Sequence, residues 1–538
     1  MKKFLMIFLA VFLAIAAIGA VAIWVTPDAP DNSTDTGTDS TTDTNTDTST
    51  DSGSGDTNVD IEEPNDTPKD EPSEPEIIEI EDVTELTTAL ETIESGAVIA
   101  IPATIEFSEP ISLGDKEVTF IFSEAFDKPV SVQLEEGKLT IMNGHFNGID
   151  IGGKGTVILD NVMSYATEEG DSGLALLDGA DITVKIVGSV SLTGAKDGDG
   201  IEVPYGTKLL LTGDTLVAVG NNGVEYSNAQ GYGTTDDETY LNKRGSGIGN
   251  AVKNIGSLTI KNMASLTAKG YGNKAFGIGG GDKSVVTIEN TVIEYVKGGF
   301  AQDVFVATDL SYGKSEEEGG CAIGVGCGVD GDYDSGILKM KNVTVKKAEG
   351  GSKSAAIGAL YWTAVDITIQ NCNFEEVIGG TASAGIGGSR VYKNVSKDQY
   401  VKIFIDNSKI NVTGGQYGAG IGTGYDTYCQ TNYGVCYIEI IGEDTVINAQ
   451  GGINAAGIGT GHHGAGLAGY ILPECEITAK AGDIFVYEAI YTEPQDIGYG
   501  MCNPEREFAN VAIVFDNQGN AVETPVTVVP TPDEGEVA

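Results

Sequence analysis

The stretch AAGIGTGHHGAG, from Ala455 to Gly466, decides how this chain folds. Its closely spaced glycines are typical of a loop that binds phosphate, and two adjacent histidines lie within it. A phosphate loop occurs once in a domain, whereas this short Ile-Gly motif returns eight times after residue 244, at intervals of 29 to 45 residues. Such spacing predicts a repeated unit of secondary structure. The eight isoleucines, predicted to lie in the core, are Ile248, Ile278, Ile323, Ile357, Ile386, Ile421, Ile458 and Ile497.

A second signal lies in short β-like runs that end in asparagine, such as LTIKN and ITIQN. Another short strand and an irregular loop follow, so one unit contains three short strands. Stacked units of this kind predict a parallel β-helix, in which Ile and Leu fill a narrow core and glycine lets the backbone bend. Asparagine tolerates a left-handed bend, and amides stacked inside the corner can hydrogen-bond from unit to unit. The predicted ladder consists of Asn143, Asn161, Asn262, Asn290, Asn342, Asn371 and Asn407.

These repeats resemble the right-handed parallel β-helix proteins of the pectate-lyase-like superfamily. The likeness is greatest to cell-surface proteins with glycine-rich AGIGGG repeats, of an adhesin-like or carbohydrate-binding type, and it covers roughly Asp82 to Glu507. It implies an all-β fold, a right-handed single-stranded solenoid with a helix over its N-terminal end. The sequence places this helix near residues 84–94, with Asp82 as its cap and Glu85 three residues later.

The two ends of the chain differ in composition from the repeats. Residues 1–25 contain two lysines followed by a long apolar run, which is typical of a signal peptide or of a signal anchor held in the membrane. Either a signal peptide or a signal anchor would place the rest of the protein outside the cell or on its surface. Residues 26–80 are rich in Thr and Asp and predict a disordered acidic stalk. We expect the β-helix over residues 81–507, and a C-terminal strand and acidic tail over residues 508–538.

Charge and cysteine usage exclude several functions. The formal net charge is −48, which argues against nucleic acid as a ligand because proteins bind it mainly through Lys and Arg. The seven cysteines show no CxxC spacing, which argues against zinc, haem and iron–sulfur sites. A disulfide between Cys429 and Cys436 would close a short loop, while the odd number leaves at least one thiol unpaired.

The histidine pair is the first candidate for a catalytic motif. His462 and His463 are similar to the Gly-His-Gly element of galacturonan hydrolases in this superfamily, which also have Asn-x-Asp and Asp-Asp motifs one repeat earlier and Arg-x-Lys one repeat later. The Asp236-Asp237 pair lies several repeats too early, and no Arg-x-Lys follows the histidines. We therefore assign no catalytic residue and expect both histidines at a solvent-facing corner. A calcium-dependent lyase would need clustered basic residues, and the three arginines lie in separate loops, at Arg244, Arg390 and Arg506.

Two acidic loops have the spacing of a calcium site. Oxygen ligands at alternate positions suit a hard cation, and calcium is the one cofactor that the sequence suggests. A solvated acidic turn is the alternative in both loops. The candidate ligands are Asp330, Asp332 and Asp334 in one loop, and Asp197, Asp199 and Glu202 in the other.

Tyrosines gather in the loops between strands. Sugar rings stack on exposed aromatic faces, so these insertions are candidates for contact with a polysaccharide or a cell-surface glycan. Packing of the same rings back onto the solenoid is the alternative. The candidate contacts are Tyr226, Tyr232, Tyr240, Tyr425, Tyr428 and Tyr433.

Three functions remain open on these grounds. The leading hypothesis is a non-catalytic, adhesin-like surface protein that binds glycan or another surface through its loops. The second is a β-helical polysaccharide lyase or glycoside hydrolase, and the third is a structural component of the envelope or sheath. The sequence leaves the oligomeric state open.

Overall fold

The computed structural model describes residues 76–223, 244–250, 255–272, 274–281, 283–299, 319–326, 336–360, 363–389, 401–425, 436–464, 467–484 and 493–501. The chain divides into Met1–Pro72 and Ser73–Ala538, and all described residues belong to the second part. The predicted signal segment, most of the predicted stalk and the C-terminal tail lie outside the described residues. No helix among the described residues is long and apolar enough to cross a membrane.

The described chain is a parallel β-helix. Each turn of the coil, here called a rung, contributes strands to three parallel sheets, in which a strand pairs with the matching strand of the next rung. Two short strands, Arg244–Gly245 and Tyr271–Gly272, form a separate antiparallel pair. Two long strands, Val130–Phe146 and Ile149–Tyr165, pass through all three sheets. Three more strands run through the two sheets that precede and follow the asparagines, which are called sheets B and C below. Those three strands are Asp181–Thr193, Lys208–Val219 and Ser257–Lys269.

The remaining strands belong mainly to one sheet each. Sheet A, which holds the Ile-Gly strands, contains Ile111–Gly114, Leu174–Leu176, Ile201–Glu202, Ile248–Asn250, Ile278–Gly280, Ile323–Val325, Ile357–Ala359, Ile386–Gly387, Ile421–Gly422, Ile458–Gly459 and Ile497–Gly498. Sheet B, which precedes the asparagines, contains Ile77–Glu79, Ala97–Ile101, Glu117–Phe122, Val285–Glu289, Gly336–Lys341, Val365–Gln370, Val401–Asp406, Cys436–Ile441 and Leu467–Ile471. Sheet C, which follows them, contains Val292–Lys297, Thr344–Val345, Ala348–Glu349, Asn373–Ile378, Lys409–Thr413, Val446–Gln450 and Glu476–Lys480.

The repeated isoleucines stack in one column of sheet A. Ile386 pairs with Ile421, and Ile421 pairs with Ile458, in unshifted parallel register. The seven isoleucines from Ile248 to Ile458 are completely buried. The prediction was wrong for Ile497, which is 36% exposed because it lies on the last described rung and no later described rung stacks on it.

Glycine follows the seven isoleucines from Ile248 to Ile458 because the rungs approach one another closely there. Gly422 has a φ of +137°, and a Cβ atom added to it would lie 1.8 Å from the carbonyl oxygen of Gly459 on the next rung. An L-residue with a side chain fits neither this backbone conformation nor this distance. The Ile-Gly pair therefore combines one inward apolar side chain with a close approach that only glycine allows.

The seven predicted ladder asparagines lie at a left-handed corner between sheets B and C, with φ values of +45° to +55°. Their predicted position inside the corner was wrong. Six of them are exposed and Asn407 is half-buried, because the left-handed conformation turns the side chain outward. Amides still hydrogen-bond along this outer edge, where Asn290 Nδ2 donates to Asn262 Oδ1 at 3.1 Å and Asn342 Nδ2 donates to Asn290 Oδ1 at 2.8 Å.

The residue after each asparagine fills the interior of the corner instead. Thr291, Cys372 and Ser408 are buried, and the Cys372 amide donates to Ser408 Oγ at 3.0 Å. The corner is thus lined inside by small or apolar side chains, while the amides follow the surface.

Replacing Asn371 with alanine is expected to destabilise the protein by only about 1 kcal/mol, because Asn371 is exposed and the change mainly places alanine in a left-handed conformation. Thermal unfolding of Asn371→Ala and Asn371→Gly would measure this, and the glycine variant should remain close to the parent. A loss of several kcal/mol in both variants would contradict an exposed, conformational role.

A helix lies over the N-terminal end of the solenoid, as predicted. It spans Val83–Thr92, and its buried residues are Leu86 and Leu90. The Glu85 amide donates to Asp82 Oδ1 at 2.9 Å, and Glu85 Oε2 accepts from the Glu81 amide at 2.7 Å. The first hydrogen bond satisfies an amide that a helix N-terminus leaves unpaired, and the second holds the residue before the cap against the first turn.

The described cysteines are thiols. Cys321, Cys372 and Cys436 are buried, Cys475 is half-buried, and all four are free. A disulfide between Cys429 and Cys436 is therefore wrong, because Cys436 belongs to a sheet B strand and pairs in register with Val401 on one side and Leu467 on the other. Burial raises the pKa of the Cys436 thiol far above its ordinary value, so it packs as a small apolar side chain.

Candidate functional site

Main chain covers the outer face of sheet A in the C-terminal rungs. Each Ile-Gly strand lies between a leading turn and a trailing turn, and Ala419 N donates to Thr423 O across the strand at 3.0 Å. Tyr425 N of one trailing turn donates to Ala382 O of a leading turn at 2.9 Å. A Cβ atom at Gly424 would lie 2.1 Å from Ala382 O, so the two turns are in direct contact. At these rungs, closely packed glycine backbone occupies the face of the sheet.

Four aromatic rings cluster where these turns meet. The ring centroids of Tyr417 and Tyr425 are 5.7 Å apart, and each lies 5.5 Å from the ring of His462. The His463 ring lies 4.1 Å from His462 and 5.7 Å from Tyr425. The His462 amide donates to the Tyr417 carbonyl at 2.9 Å, which joins the two rungs. Tyr425 and His463 are half-buried, so the cluster presents ring surface to solvent.

His462 is buried, which corrects the predicted solvent-facing corner. It is 8% exposed, because it packs beneath Tyr417, Tyr425 and His463. Burial, and then repulsion from His463, lowers the pKa of His462 to about 3. The imidazole is therefore neutral near pH 7 and contributes an uncharged aromatic ring to the cluster.

Repeat alignment was the signal that would have found this cluster. Tyr425 follows Ile421 by four residues, and His462 follows Ile458 by four residues, so the two side chains occupy the same place on successive rungs.

The three described carboxylates of the predicted calcium loop, Asp197, Asp199 and Glu202, do not form a metal site. Asp199 is buried and accepts a hydrogen bond from the Ser246 amide, Glu202 accepts from Ser172 Oγ at 3.2 Å, and Asp197 lies at a left-handed turn. Across the described ranges, no group of three or more His, Cys, Asp or Glu side chains is placed to hold a metal ion. The remaining candidates lie outside the described residues, namely Asp330, Asp332 and Asp334, the tyrosines Tyr226, Tyr232, Tyr240, Tyr428 and Tyr433, the Asp236-Asp237 pair, Arg390 and Arg506.

No protein-family model matches the chain, and neither curated proteins nor solved structures gave a match. Functional inference therefore rests on the molecule's own residues.

Proposed function

We propose that this protein is an exported, non-catalytic β-helix that is displayed at the cell surface and binds glycan, with its fold related to the pectate-lyase-like superfamily. The cluster of Tyr417, Tyr425, His462 and His463 carries the proposal. Clustered aromatic rings, of which Tyr425 and His463 are partly open to solvent, offer apolar ring faces against which sugar rings can pack. A neutral His462 and a sheet A face filled with main chain both favour binding over catalysis.

The apolar run at residues 4–25 and the acidic segment that follows it support export and display. Tyr425 also lies immediately before residues 426–435, which contain the candidate contacts Tyr428 and Tyr433. In the sequence, the cluster residue Tyr425 therefore directly precedes the segment from which we predict glycan contact.

Replacing Tyr425 with alanine is expected to weaken glycan binding about 3- to 10-fold, the range for the loss of one stacked aromatic ring. The parent, Tyr425→Ala and the control Tyr205→Ala would be titrated against a polysaccharide panel; Tyr205 is 66% exposed in a turn at residues 204–206, on a distant rung. The control should bind as the parent does. Absence of binding by the parent, or equal binding by both variants, would contradict the proposal, and release of sugar products by the parent would favour a hydrolase or lyase.

A further inference from the structure

The C-terminal end of the solenoid is open in two of its three sheets, because no described rung follows there. In sheet A, Ile497 is 36% exposed, whereas its partner Ile458 on the preceding rung is buried. In sheet C, Ile477 and Ala479 are half-buried, whereas their partners on the preceding rung are buried. Apolar side chains that a further rung would cover therefore reach solvent at this end.

Sheet B differs from the other two sheets at this end. Its last described strand, Leu467–Ile471, pairs with Cys436–Ile441 on one side, and no described strand pairs with it on the other. Leu467 is nevertheless completely buried, and Ile471 is only 6% exposed. The contrast with the open ends of sheets A and C favours sheet B as the sheet in which the chain continues.

The last described strand of sheet B directs backbone groups away from the described sheet. Leu472 N donates to Ile440 O of the preceding rung at 2.9 Å. Successive residues of a strand direct their backbone groups to opposite sides, so the amide and carbonyl of Ile471 face the side on which no described strand lies. Such a row of amides and carbonyls is a template for another strand.

The sequence beyond the described residues contains one more run of the kind that precedes the asparagines. Residues 511–517 read VAIVFDN, and residues 401–407, which include the sheet B strand Val401–Asp406, read VKIFIDN. Four of the seven positions are identical. The spacing agrees as well, because Val511 follows the preceding Ile-Gly isoleucine by 14 residues and Val401 follows its own by 15. The sequence therefore supplies another sheet B strand at the point where the described sheet ends.

We propose that residues 511–517 pair with Leu467–Ile471 and cover the edge of sheet B. The partner that this edge fits is thus a segment of the same chain, and not a second copy of the protein. The pairing concerns the end of the solenoid, and it is independent of the glycan site proposed above.

The register of this pairing follows from the repeat. Val401 pairs with Cys436, which pairs with Leu467 in the same column. The first residue of VAIVFDN therefore stacks on Leu467, and its fifth residue, Phe515, stacks on Ile471. The first, third and fifth residues are all apolar and face the core, whereas the second, fourth and sixth face solvent.

Covering this edge ends the stacking of rungs in sheet B. An exposed strand edge can pair with the edge of another copy, so an open end permits end-to-end association. Residues 499–538 contain no further Ile-Gly pair, and Pro525, Pro530 and Pro532 lack the amide that a ladder needs. The strand at residues 511–517 therefore ends the ladder and blocks association of copies at this end.

Disulfide trapping in the full chain tests the pairing. Tyr470 is half-buried, and its hydroxyl donates to Glu439 Oε1 on the outer face of sheet B. Tyr470→Cys with Val514→Cys places two thiols on that face of adjacent strands, whose separation of about 4.8 Å a disulfide can span. Mild oxidation should cross-link most molecules within one chain. Peptide mass mapping distinguishes this bond from any that the native cysteines form.

Tyr470→Cys with Phe515→Cys is the register control. Its second thiol belongs to the next residue, which faces the core, so it should cross-link at least about 10-fold less. Equal cross-linking of the two double variants, or none in either, would overturn the proposed pairing. A cross-link between two chains would assign the edge to a second copy and overturn it as well.

Two aspartate variants of the full chain test the pairing without a cross-link. Ile513→Asp places a carboxylate on the face toward the core and should detach the strand, whereas Val514→Asp places it in solvent. Hydrogen exchange at the Ile471 amide should accelerate at least about 10-fold in Ile513→Asp alone. Light scattering of that variant should show a mass that grows with protein concentration, while Val514→Asp keeps the mass of the parent.

Exchange at Leu211, a buried residue on a distant rung, should be the same in the parent and both variants if the rest of the solenoid remains folded. Rapid exchange at Ile471 in the parent, or the same exchange rate in both variants, would overturn the pairing. Rapid exchange in Ile513→Asp without association would overturn the role of the strand in blocking association.

Discussion

Ile386→Asp is expected to prevent the solenoid from folding, with a loss on the order of 5 kcal/mol or more. Ile386 is completely buried between Ile357 and Ile421, so the change removes a core side chain and places an unpaired carboxylate in the apolar interior. The measurement is far-UV circular dichroism, which should show loss of the strand signal. Failure to recover soluble protein would have the same meaning.

Ile497→Asp is the matched control for this substitution. It changes the same residue type in the same motif, but Ile497 is 36% exposed on the last described rung, where a carboxylate can remain hydrated. It should cost far less stability than Ile386→Asp. Similar losses in both variants would mean that the repeated isoleucine acts through strand conformation rather than through burial.

The second large effect is expected for Gly422→Ala. The added methyl group would lie 1.8 Å from the carbonyl oxygen of Gly459, and the φ of +137° is itself unfavourable for alanine. Neighbouring rungs would have to separate at this point, so we expect a loss of about 3 kcal/mol or more, measured by chemical denaturation.

Gly206→Ala controls for the backbone conformation alone. Gly206 also has a positive φ, of +78°, but nothing lies within 4 Å of its added Cβ. Its loss should be about 1 kcal/mol. If Gly422→Ala cost no more than Gly206→Ala, the close approach of the rungs would not be the reason for the repeated glycine.

Most of the fold followed from periodicity, because the Ile-Gly and asparagine positions recur wherever the chain returns to the same sheet. The direction of the asparagine side chains did not follow from it. A left-handed residue reverses the inward and outward alternation of a strand, so Asn371 lies outside while Cys372 lies inside. A pattern of apolar and polar letters carries no sign of that reversal.

The candidate sites were harder to predict for a different reason. Tyr425 and His462 are 37 residues apart, so only alignment by rung brings this pair together. Unequal loops change that interval from rung to rung. Contacts between side chains on successive rungs can therefore be identified only once the strand register is known.

Each Ile-Gly strand pairs with the matching strands of the two neighbouring rungs. The number of rungs can therefore change without changing the contacts that each rung makes. A rung inserted or removed whole leaves every remaining contact type unchanged, because stability in such an array is a sum over adjacent units. Duplication or loss of one repeat in the gene would therefore lengthen or shorten the rod by a fixed step of about 4.8 Å without redesigning its ends. The length of the solenoid can thus change in small, countable increments.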